Sequence, residues 1–188
     1  MKRFLCFLFL WFMLFLGSIE AKAASIGLFD YAFNIDGTIY EIGDSLPGIL
    51  DASDFDFSTG LGSISITIDG EGDHYVLAFF DHEIDEEENT YFNEVGSATG
   101  TPAPGQSWEI DEPGWVDGDI YQNFRNNSLD NSIGISIWGN TDFPDDVSMA
   151  MGWVFTLDSI LQRAIINFTI TEIIPTSGFY LTQSLVSG

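Results

Sequence analysis

The chain has 188 residues, of which 29 are Asp or Glu and only 5 are Lys or Arg, so its formal charge at pH 7 is -24. This acidity argues against nucleic acid as a partner, because too few basic side chains are present to neutralise phosphates. Hydrophobic residues make up 45% and aromatic residues 15% of the chain, which excludes wholesale disorder. The length suits one domain with a hydrophobic core of its own.

The N-terminal segment, residues 1–23, has the pattern of a secretory signal peptide. A basic start precedes an apolar run over residues 4–16, and Ala21-Lys22-Ala23 supplies the small residues that signal peptidase reads. The apolar run is shorter than the roughly 20 residues that a membrane span needs. We therefore expect cleavage before Ala24 and a secreted protein, extracellular or periplasmic, without a stable membrane span. Cleavage also removes Cys6, the only cysteine, so the fold must stand without disulfides.

Beyond this segment the sequence predicts β-structure throughout. Apolar and polar residues alternate on both sides of Asp36-Gly37, which is typical of a hairpin with a type I′ turn. Ile64, Ile66 and Ile68 alternate with polar residues, so they are predicted to share one face of a strand. The predicted strands cover residues 29–35, 38–42, 54–58, 63–68, 75–80, 133–138, 149–157, 163–173 and 178–183, with a short helix as an alternative over 159–166.

Short strands separated by Gly, Asp, Asn and Pro turns predict an all-β fold. We expect an antiparallel β-sandwich, jelly-roll-like, as a single domain over residues 24–188. Residues 81–119 hold twelve acidic residues and neither Lys nor Arg, and we interpret them as a long acidic loop insertion in that domain. Long loops of this kind are usually functional or ordered by a metal.

Several motifs resemble a group of secreted bacterial proteins. They are Asp81 to Glu87, Asn89 to Glu94, Gly105 to Gly114, Gly118 to Phe124, Leu129 to Asn131, Asp145 to Trp153 and Gly178 to Gln183. The group is the PEP-CTERM family, whose members an exosortase sorts to the cell surface, and the motif from Trp108 to Gly114 is the most specific part of the resemblance. The resemblance implies an exported β-rich domain without an assigned activity, associated with biofilm and exopolysaccharide production. The sequence reaches Gly188 without the Pro-Glu-Pro signal, so we expect either a truncated gene or a member that lacks the C-terminal sorting tail.

The acidic region supplies the hard oxygen ligands that calcium prefers. Carboxylates without basic neighbours repel one another, and a divalent cation would remove that repulsion. The candidate calcium ligands are Asp81, Glu83, Asp85, Glu94, Asp111, Glu112, Asp145 and Asp146, with Asn93, Asp117 and Asp119 as further oxygen donors. The alternative is a solvated acidic face that keeps the protein soluble.

Aromatic residues and carboxylates in the same region allow two sugar-related interpretations. Trp108 and Trp115 are candidate sugar-stacking residues, with packing onto the sandwich as the alternative. Carboxylate pairs beside them would suit a glycan-active hydrolase, and the acids concerned are Glu109, Asp111, Glu112 and Asp119. An acidic segment contains such pairs by chance, and no nucleophile-elbow, phosphate-loop or dinucleotide motif is present. His82 is expected to be a surface histidine, because a transition-metal site needs more His or Cys ligands.

The sequence therefore predicts an exported, non-enzymatic β-sandwich with a structural or binding role at the cell envelope or extracellular matrix. Calcium is its candidate cofactor and extracellular polysaccharide its candidate partner. The alternatives are a carbohydrate-binding module and, further behind, a glycan-active hydrolase.

Overall fold

The computed structural model describes residues 24–85, 94–114, 118–134 and 146–185, so the predicted signal peptide lies outside the described residues. The described residues form ten β-strands and one α-helix. In chain order the elements are β1 Ile26–Ile35, β2 Thr38–Glu41, β3 Leu50–Asp56, β4 Leu61–Asp69, β5 Gly72–Ile84, β6 Glu94–Thr99, β7 Gln106–Asp111, α1 Ile120–Arg125, β8 Ser148–Leu157, β9 Arg163–Ile170 and β10 Tyr180–Leu185. The predicted all-β fold is confirmed.

The strands pair antiparallel in a larger and a smaller sheet, with a separate two-stranded ribbon. Within the described residues, the larger sheet has the order β2-β1-β5-β8-β7, the smaller sheet has the order β3-β4-β9, and β6 pairs with β10. β5 is central, as its apolar run predicts, because it pairs with β1 on one side and β8 on the other. Val76, Leu77 and Ala78 are buried accordingly, on both faces of the sheet.

The main core lies between the larger and the smaller sheet. Phe33 and Phe80 of the larger sheet meet edge to face at 6.0 Å between ring centroids and belong to the same cluster as Ile64 and Ile66 of β4. Ile64, Ile66 and Ile68 are all buried, which confirms the predicted face of β4. Each such side chain contributes roughly 1.5–3 kcal/mol through its removal from water. This core gives the antiparallel sandwich its two layers.

The opposite face of the larger sheet packs against α1. Ile120 and Phe124, one helical turn apart, are fully buried in a second cluster that contains Phe79. The side-chain amide of Asn34, on the same sheet face, donates to the carbonyl of Phe124 at 2.9 Å. The helix is therefore fixed to the sheet by apolar contact and by a buried hydrogen bond.

The predicted hairpin is present. Asp36 and Gly37 connect β1 to β2 with φ values of 48° and 84°, both positive as a type I′ turn requires. The helix considered over residues 159–166 does not form, because a turn at Ser159–Gln162 leads directly into β9.

Residues 81–119 are not a loop throughout. β5 continues to Ile84, and β6 and β7 lie inside the region. β7 joins the larger sheet beside β8, so the acids that it carries are held on the sandwich itself. The strand predicted over 133–138 is described only at its start, where Ile133 forms a parallel bridge with Ile110. Among the described residues, α1 is the one α-helix, and no helix has the length and apolar character to cross a membrane.

Candidate functional site

The outer edge of β7 is covered by the segment of residues 130–134. Asn131 donates its backbone N–H to the Trp108 carbonyl at 2.8 Å, and Ile110 donates to the Ser132 carbonyl at 3.1 Å. Gly134 completes the contact by donating to the Ile110 carbonyl at 2.6 Å. Since alternate residues of β7 share a face, Glu109 and Asp111 both project beside this segment.

The turn into α1 approaches the same two side chains from the opposite direction. The backbone N–H of Asp119 donates to Oδ2 of Asp111 at 2.9 Å. Asp119 is the residue before the helix, and its own carboxylate makes no capping hydrogen bond with the helix. Gly118 has a φ of +78°, and a Cβ built there would lie 2.2 Å from the carbonyl oxygen of Glu112. The turn therefore needs glycine at this position to bring Asp119 to Asp111.

Three carboxylates converge where β7, the segment 130–134 and the start of α1 meet. Oxygen atoms of Glu109, Asp111 and Asp119 all lie within 4.8 Å of one another. They line an open cleft of about 480 Å³ that Asp130 and Ser132 also line. Among the described residues, these three side chains form the group of potential ligands that lie close enough together to hold a metal ion.

Glu109 is the buried member of the group, with 1% of its surface exposed. Its carboxylate accepts hydrogen bonds from Nδ2 of Asn123 at 3.0 Å and from the backbone N–H of Asp130 at 3.2 Å. Burial raises the pKa of Glu109 to about 7, and the nearby charges of Asp130 and Asp119 add to the rise against those hydrogen bonds. Both oxygens of Glu109 thus accept from donors that fix the position of the carboxylate.

The pKa of Asp111 is raised for the same reasons. Burial is the larger cause, and the charges of Asp119 and Asp130 add to it, while N–H donors from Asp119 and Glu112 oppose it. A Cβ built on Gly134 would lie 1.8 Å from Oδ1 of Asp111, so the chain passes directly over this carboxylate. The carboxylate is held between two backbone segments.

The cleft has no basic partner among the described residues. Arg125 is paired with Glu41, at 3.4 Å between Nη1 and Oε1. Arg163 is paired with Asp69 on the smaller sheet, at 2.7 Å between Nε and Oδ1. These are the two arginines that the described residues contain. The negative charge of the cleft carboxylates can therefore be neutralised only by protons or by a cation from solution.

The chemistry of the cleft matches a hard divalent cation. Calcium takes 6–8 oxygen ligands from carboxylates, hydroxyls, carbonyls and water, and the lining offers the first three kinds. Asp130 is itself oriented by Ser132, whose N–H donates to Oδ1 at 2.9 Å and whose hydroxyl donates to Oδ2 at 2.7 Å. A cation here would sit among fixed oxygens with room for water.

The structure distributes the predicted calcium ligands over several places. Asp111 lies in the cleft, together with Asp119. Glu112 follows Asp111 in the chain but is not one of the three converging carboxylates. Asp145, Asn93 and Asp117 lie outside the described residues.

Asp81 and Glu94 are buried inside the fold and are not members of this group. Asp81 of β5 is 1% exposed and accepts a hydrogen bond from the Ser148 hydroxyl at 2.9 Å. Burial raises the pKa of Asp81 to about 8, with further contributions from the charges of Asp146, Glu83 and Asp30. Burial and these like charges therefore favour the protonated form of Asp81.

Glu94 begins β6 and ties together three parts of the chain. It accepts hydrogen bonds from the side-chain amide of Gln183 on β10, from the backbone of Ile84 at 3.1 Å and from the backbone of Val147 at 3.4 Å. Burial raises the pKa of Glu94 to about 7, although these donors work against the rise. Its role in the described contacts is to join the β6–β10 ribbon to the larger sheet.

The remaining candidates lie at the ends of β5 and β8. Asp85 accepts hydrogen bonds from the backbone and hydroxyl of Ser25, at 2.6 and 3.2 Å, and so holds the start of β1. Glu83 and Asp146 lie near enough to Asp81 to raise its pKa by their charge. The structure places none of these three in the cleft group.

Of the two candidate sugar-stacking residues, the structure describes Trp108. Its indole is half-buried and packs against Phe179, at 5.7 Å between ring centroids and an interplanar angle of 53°. Trp115 lies outside the described residues. The contact with Phe179 shows that the ring of Trp108 helps to hold the C-terminal segment on β7.

The prediction that His82 is a surface histidine is wrong. His82 is buried, and its Nε2 contacts the Gly60 carbonyl at 3.2 Å. Burial lowers its pKa, so the ring is neutral at physiological pH. The residue lies on β5 next to Asp81, on a strand that the fold buries on both faces.

The sequence alone does not assign Glu109 or Asp130 to a cation site. It indicates Glu109 only as a carboxylate for glycan hydrolysis, and it does not single out Asp130. The signal for Asp130 is the sequence Asp130-Asn131-Ser132, in which a carboxylate precedes a small polar residue by two positions and forms an Asx turn.

Comparison with known proteins finds no family model, no curated protein and no solved structure that matches the chain. Because a fold by itself does not specify a function, the chemistry of the cleft is the basis for assigning one.

Proposed function

We propose that the protein is an exported, non-enzymatic β-sandwich that binds calcium in the cleft of Glu109, Asp111 and Asp119 and acts outside the cell as a structural or binding module. Three chain segments meet in this cleft, so the ion stabilises the join between β7, α1 and the segment 130–134. Calcium here is a structural ion and takes no part in a reaction.

The observation that carries the proposal is the convergence of three carboxylates within 4.8 Å of one another in an open cleft. Bringing unscreened like charges this close costs free energy, and more so where water is partly excluded. A cation converts that repulsion into attraction. A divalent ion fits better than a monovalent ion, because at least two of the carboxylates must be neutralised.

The extracellular role is supported by the sequence. Residues 1–23 have the pattern of a signal peptide, and the motif from Trp108 to Gly114 resembles exported PEP-CTERM proteins. The same motif carries Glu109 and Asp111, so the most specific part of the resemblance coincides with the cleft. Extracellular polysaccharide is the partner we propose for this module.

The test is thermal unfolding in excess calcium, in chelator and in sodium chloride of matched ionic strength. A ligand bound only by the folded state stabilises it by about 2.7 kcal/mol at a hundredfold excess over its Kd. In a domain of this size that corresponds to an increase in Tm of about 5–10 °C. We expect the increase with calcium and not with sodium chloride, because screening alone acts equally in both.

Substitutions locate the ion. Asp111→Asn and Asp119→Asn each remove a charged ligand and should abolish most of the calcium-dependent increase in Tm. Asp158→Asn is the matched control, since Asp158 is exposed and lies outside the cleft. Equal Tm values in calcium and in matched sodium chloride would contradict the proposal, and so would a calcium effect that Asp111→Asn leaves intact.

A second candidate, a glycan-active hydrolase, is favoured by one observation. Glu109 has its pKa raised to about 7 in a cleft with two other carboxylates, and a general acid needs such a value. Against it, both oxygens of Glu109 already accept hydrogen bonds from Asn123 and Asp130, which favours the ionised carboxylate. Release of reducing sugar from a polysaccharide by the wild-type protein, lost in Glu109→Gln, would establish the hydrolase.

A further inference from the structure

β9 is an edge strand of the smaller sheet. Within the described residues it pairs with β4 alone, over all eight of its residues and without a bulge. One side of the strand therefore presents a regular row of backbone N–H and C=O groups without a strand partner. Such an edge is a template for pairing with another strand.

The opposite edge of the same sheet is protected, whereas no comparable protection of β9 is present among the described residues. β3 carries three aspartates, and its pairing with β4 shifts register between Asp51 and Asp54. Charges and bulges are the features by which proteins prevent edge strands from pairing. β9 carries one charge, Arg163, which Asp69 neutralises at 2.7 Å.

Large apolar side chains are exposed on and around β9. Ile165, in the strand, is 59% exposed. Ile160 and Leu161 precede the strand, and Ile173 and Ile174 follow it, all four more exposed than Ile165. The apolar residues at the two ends of such an edge strand can pack against a partner strand that has the same arrangement.

The charge distribution indicates what that partner is. Residues 159–171 contain no Asp or Glu and are bounded by Asp158 and Glu172, although the chain as a whole has a formal charge of -24. Two copies of so acidic a protein repel one another over most of their surfaces. The electrostatic repulsion between two copies is therefore smaller where their segments 159–171 meet.

The sequence also fixes the geometry of such a pairing. In an antiparallel pair about a two-fold axis, the start of one β9 lies beside the end of the other. Leu161 and Ile173 are equally distant in sequence from Asn167, and so are Ile160 and Ile174. An axis at Asn167 therefore brings the apolar pair before the strand onto the apolar pair after it, twice.

The face of each side chain is compatible with this register. Residues directly opposite in a sheet must point to the same face. The buried residues of β9 are Ile166 and Phe168, and Ile165 and Asn167 point to solvent. Only an axis that passes through a residue position, such as Asn167, keeps buried residues opposite buried residues.

We propose that β9 is a homodimerisation edge, at which two copies of this chain pair antiparallel about a two-fold axis at Asn167. The pairing joins the smaller sheets of both copies into one continuous sheet in the order β3-β4-β9-β9-β4-β3. The interface is independent of the calcium cleft, which lies at the β7 edge of the larger sheet.

Sedimentation over a concentration series tests the association. We expect a reversible dimer for the wild type and at least tenfold weaker dimerisation for Ile165→Asp, which places a charge in the interface. Leu161→Ser, in the exposed turn before β9, is a second variant that leaves the strand unchanged and should also weaken the dimer. The matched control is Val154→Asp, because Val154 is exposed on β8, a strand that is flanked by β5 and β7.

A monomeric wild type at all concentrations overturns the proposal, as does a dimer that Val154→Asp weakens and Ile165→Asp does not. Circular dichroism and melting of each variant show that the fold is retained.

Single cysteines test the axis itself, in a full-length chain with Cys6→Ser. Directly opposite residues of an antiparallel pair have Cα atoms about 4.5–5.5 Å apart, within the range that a disulfide spans. Asn167→Cys on the axis should therefore cross-link to its own copy under mild oxidation. Ile165→Cys, displaced from its copy by four residue positions, should not. Faster cross-linking of Ile165→Cys than of Asn167→Cys would overturn the proposed register.

Discussion

Asp81 makes the stability of this protein depend on pH in a direction opposite to that of most acidic residues. The pKa of Asp81 is raised from 3.8 to about 8, first by burial and then by the charges of Asp146, Glu83 and Asp30. The folded protein therefore holds a proton between pH 4 and pH 8 that the unfolded chain releases. Stability is then greatest near the unfolded pKa and decreases as the pH rises towards the folded pKa.

The magnitude follows from the linkage relation. One bound proton more in the folded state changes the free energy of unfolding by about 1.4 kcal/mol per pH unit. Between pH 5 and pH 7 the Asp81 contribution thus falls by about 2–3 kcal/mol, which is large against a total of 5–15 kcal/mol for a typical domain. Glu94 and Glu109, both with pKa values raised to about 7, add to the same trend.

Asp81→Asn isolates the contribution of this residue. Asn has the shape of a protonated aspartic acid and keeps an oxygen to accept from Ser148, but it does not ionise. The difference in stability between the variant and the wild type should therefore shift in favour of the variant as the pH rises from 5 to 8. The measurement is urea unfolding at each pH, in chelator so that bound calcium does not contribute. Asp158→Asn, at an exposed position, is the control and should show no such shift.

A pH-independent difference between Asp81→Asn and the wild type would refute the reasoning. It would mean that Asp81 is ionised in the folded protein throughout this range, despite being 1% exposed.

Two further substitutions test the cleft and the sheet face behind it. Gly134→Ala places a methyl carbon 1.8 Å from Oδ1 of Asp111, so it should displace that carboxylate, remove most of the calcium-dependent increase in Tm and also lower the Tm of the chelated protein. Phe124→Ala should destabilise the fold by about 3–5 kcal/mol in urea unfolding, because Phe124 is fully buried against Phe79, whereas Phe29→Ala, at an exposed position, should cost less than about 1 kcal/mol.

The parts of the fold that the sequence predicts are those in which local pattern and tertiary structure agree. The alternation of Ile64, Ile66 and Ile68 predicts their burial, and Asp36-Gly37 predicts the turn with two positive φ values. α1 is different, because it has six residues and its Asp119 provides no side-chain cap. A helix this short is held by the packing of Ile120 and Phe124 on the sheet and not by its own propensity.

β7 is difficult to predict from the sequence because of the carboxylates that it carries. Gln106–Asp111 alternates only weakly, because Glu109 is a buried carboxylate where a strand of the core normally has an apolar side chain. The burial of Glu109 depends on donors from Asn123 and Asp130, which lie on other segments. The sequence predicts that oxygen ligands are abundant near Asp111, but which of them converge is decided by these long-range contacts.

The scarcity of basic residues leaves this fold with two ways to neutralise its carboxylates. Within the described residues both arginines pair with acids outside the cleft, Glu41 and Asp69, so neither serves the cleft carboxylates. Asp81 lies in a closed environment, where desolvation makes the protonated form the stable one. Asp111 and Asp119 line an open cleft in which an ion with its remaining water ligands has room, and the same repulsion there favours a cation. Under the proposed function, proton and calcium would act on different carboxylates for a common physical reason, and raising the pH would weaken the first arrangement while it strengthened the second.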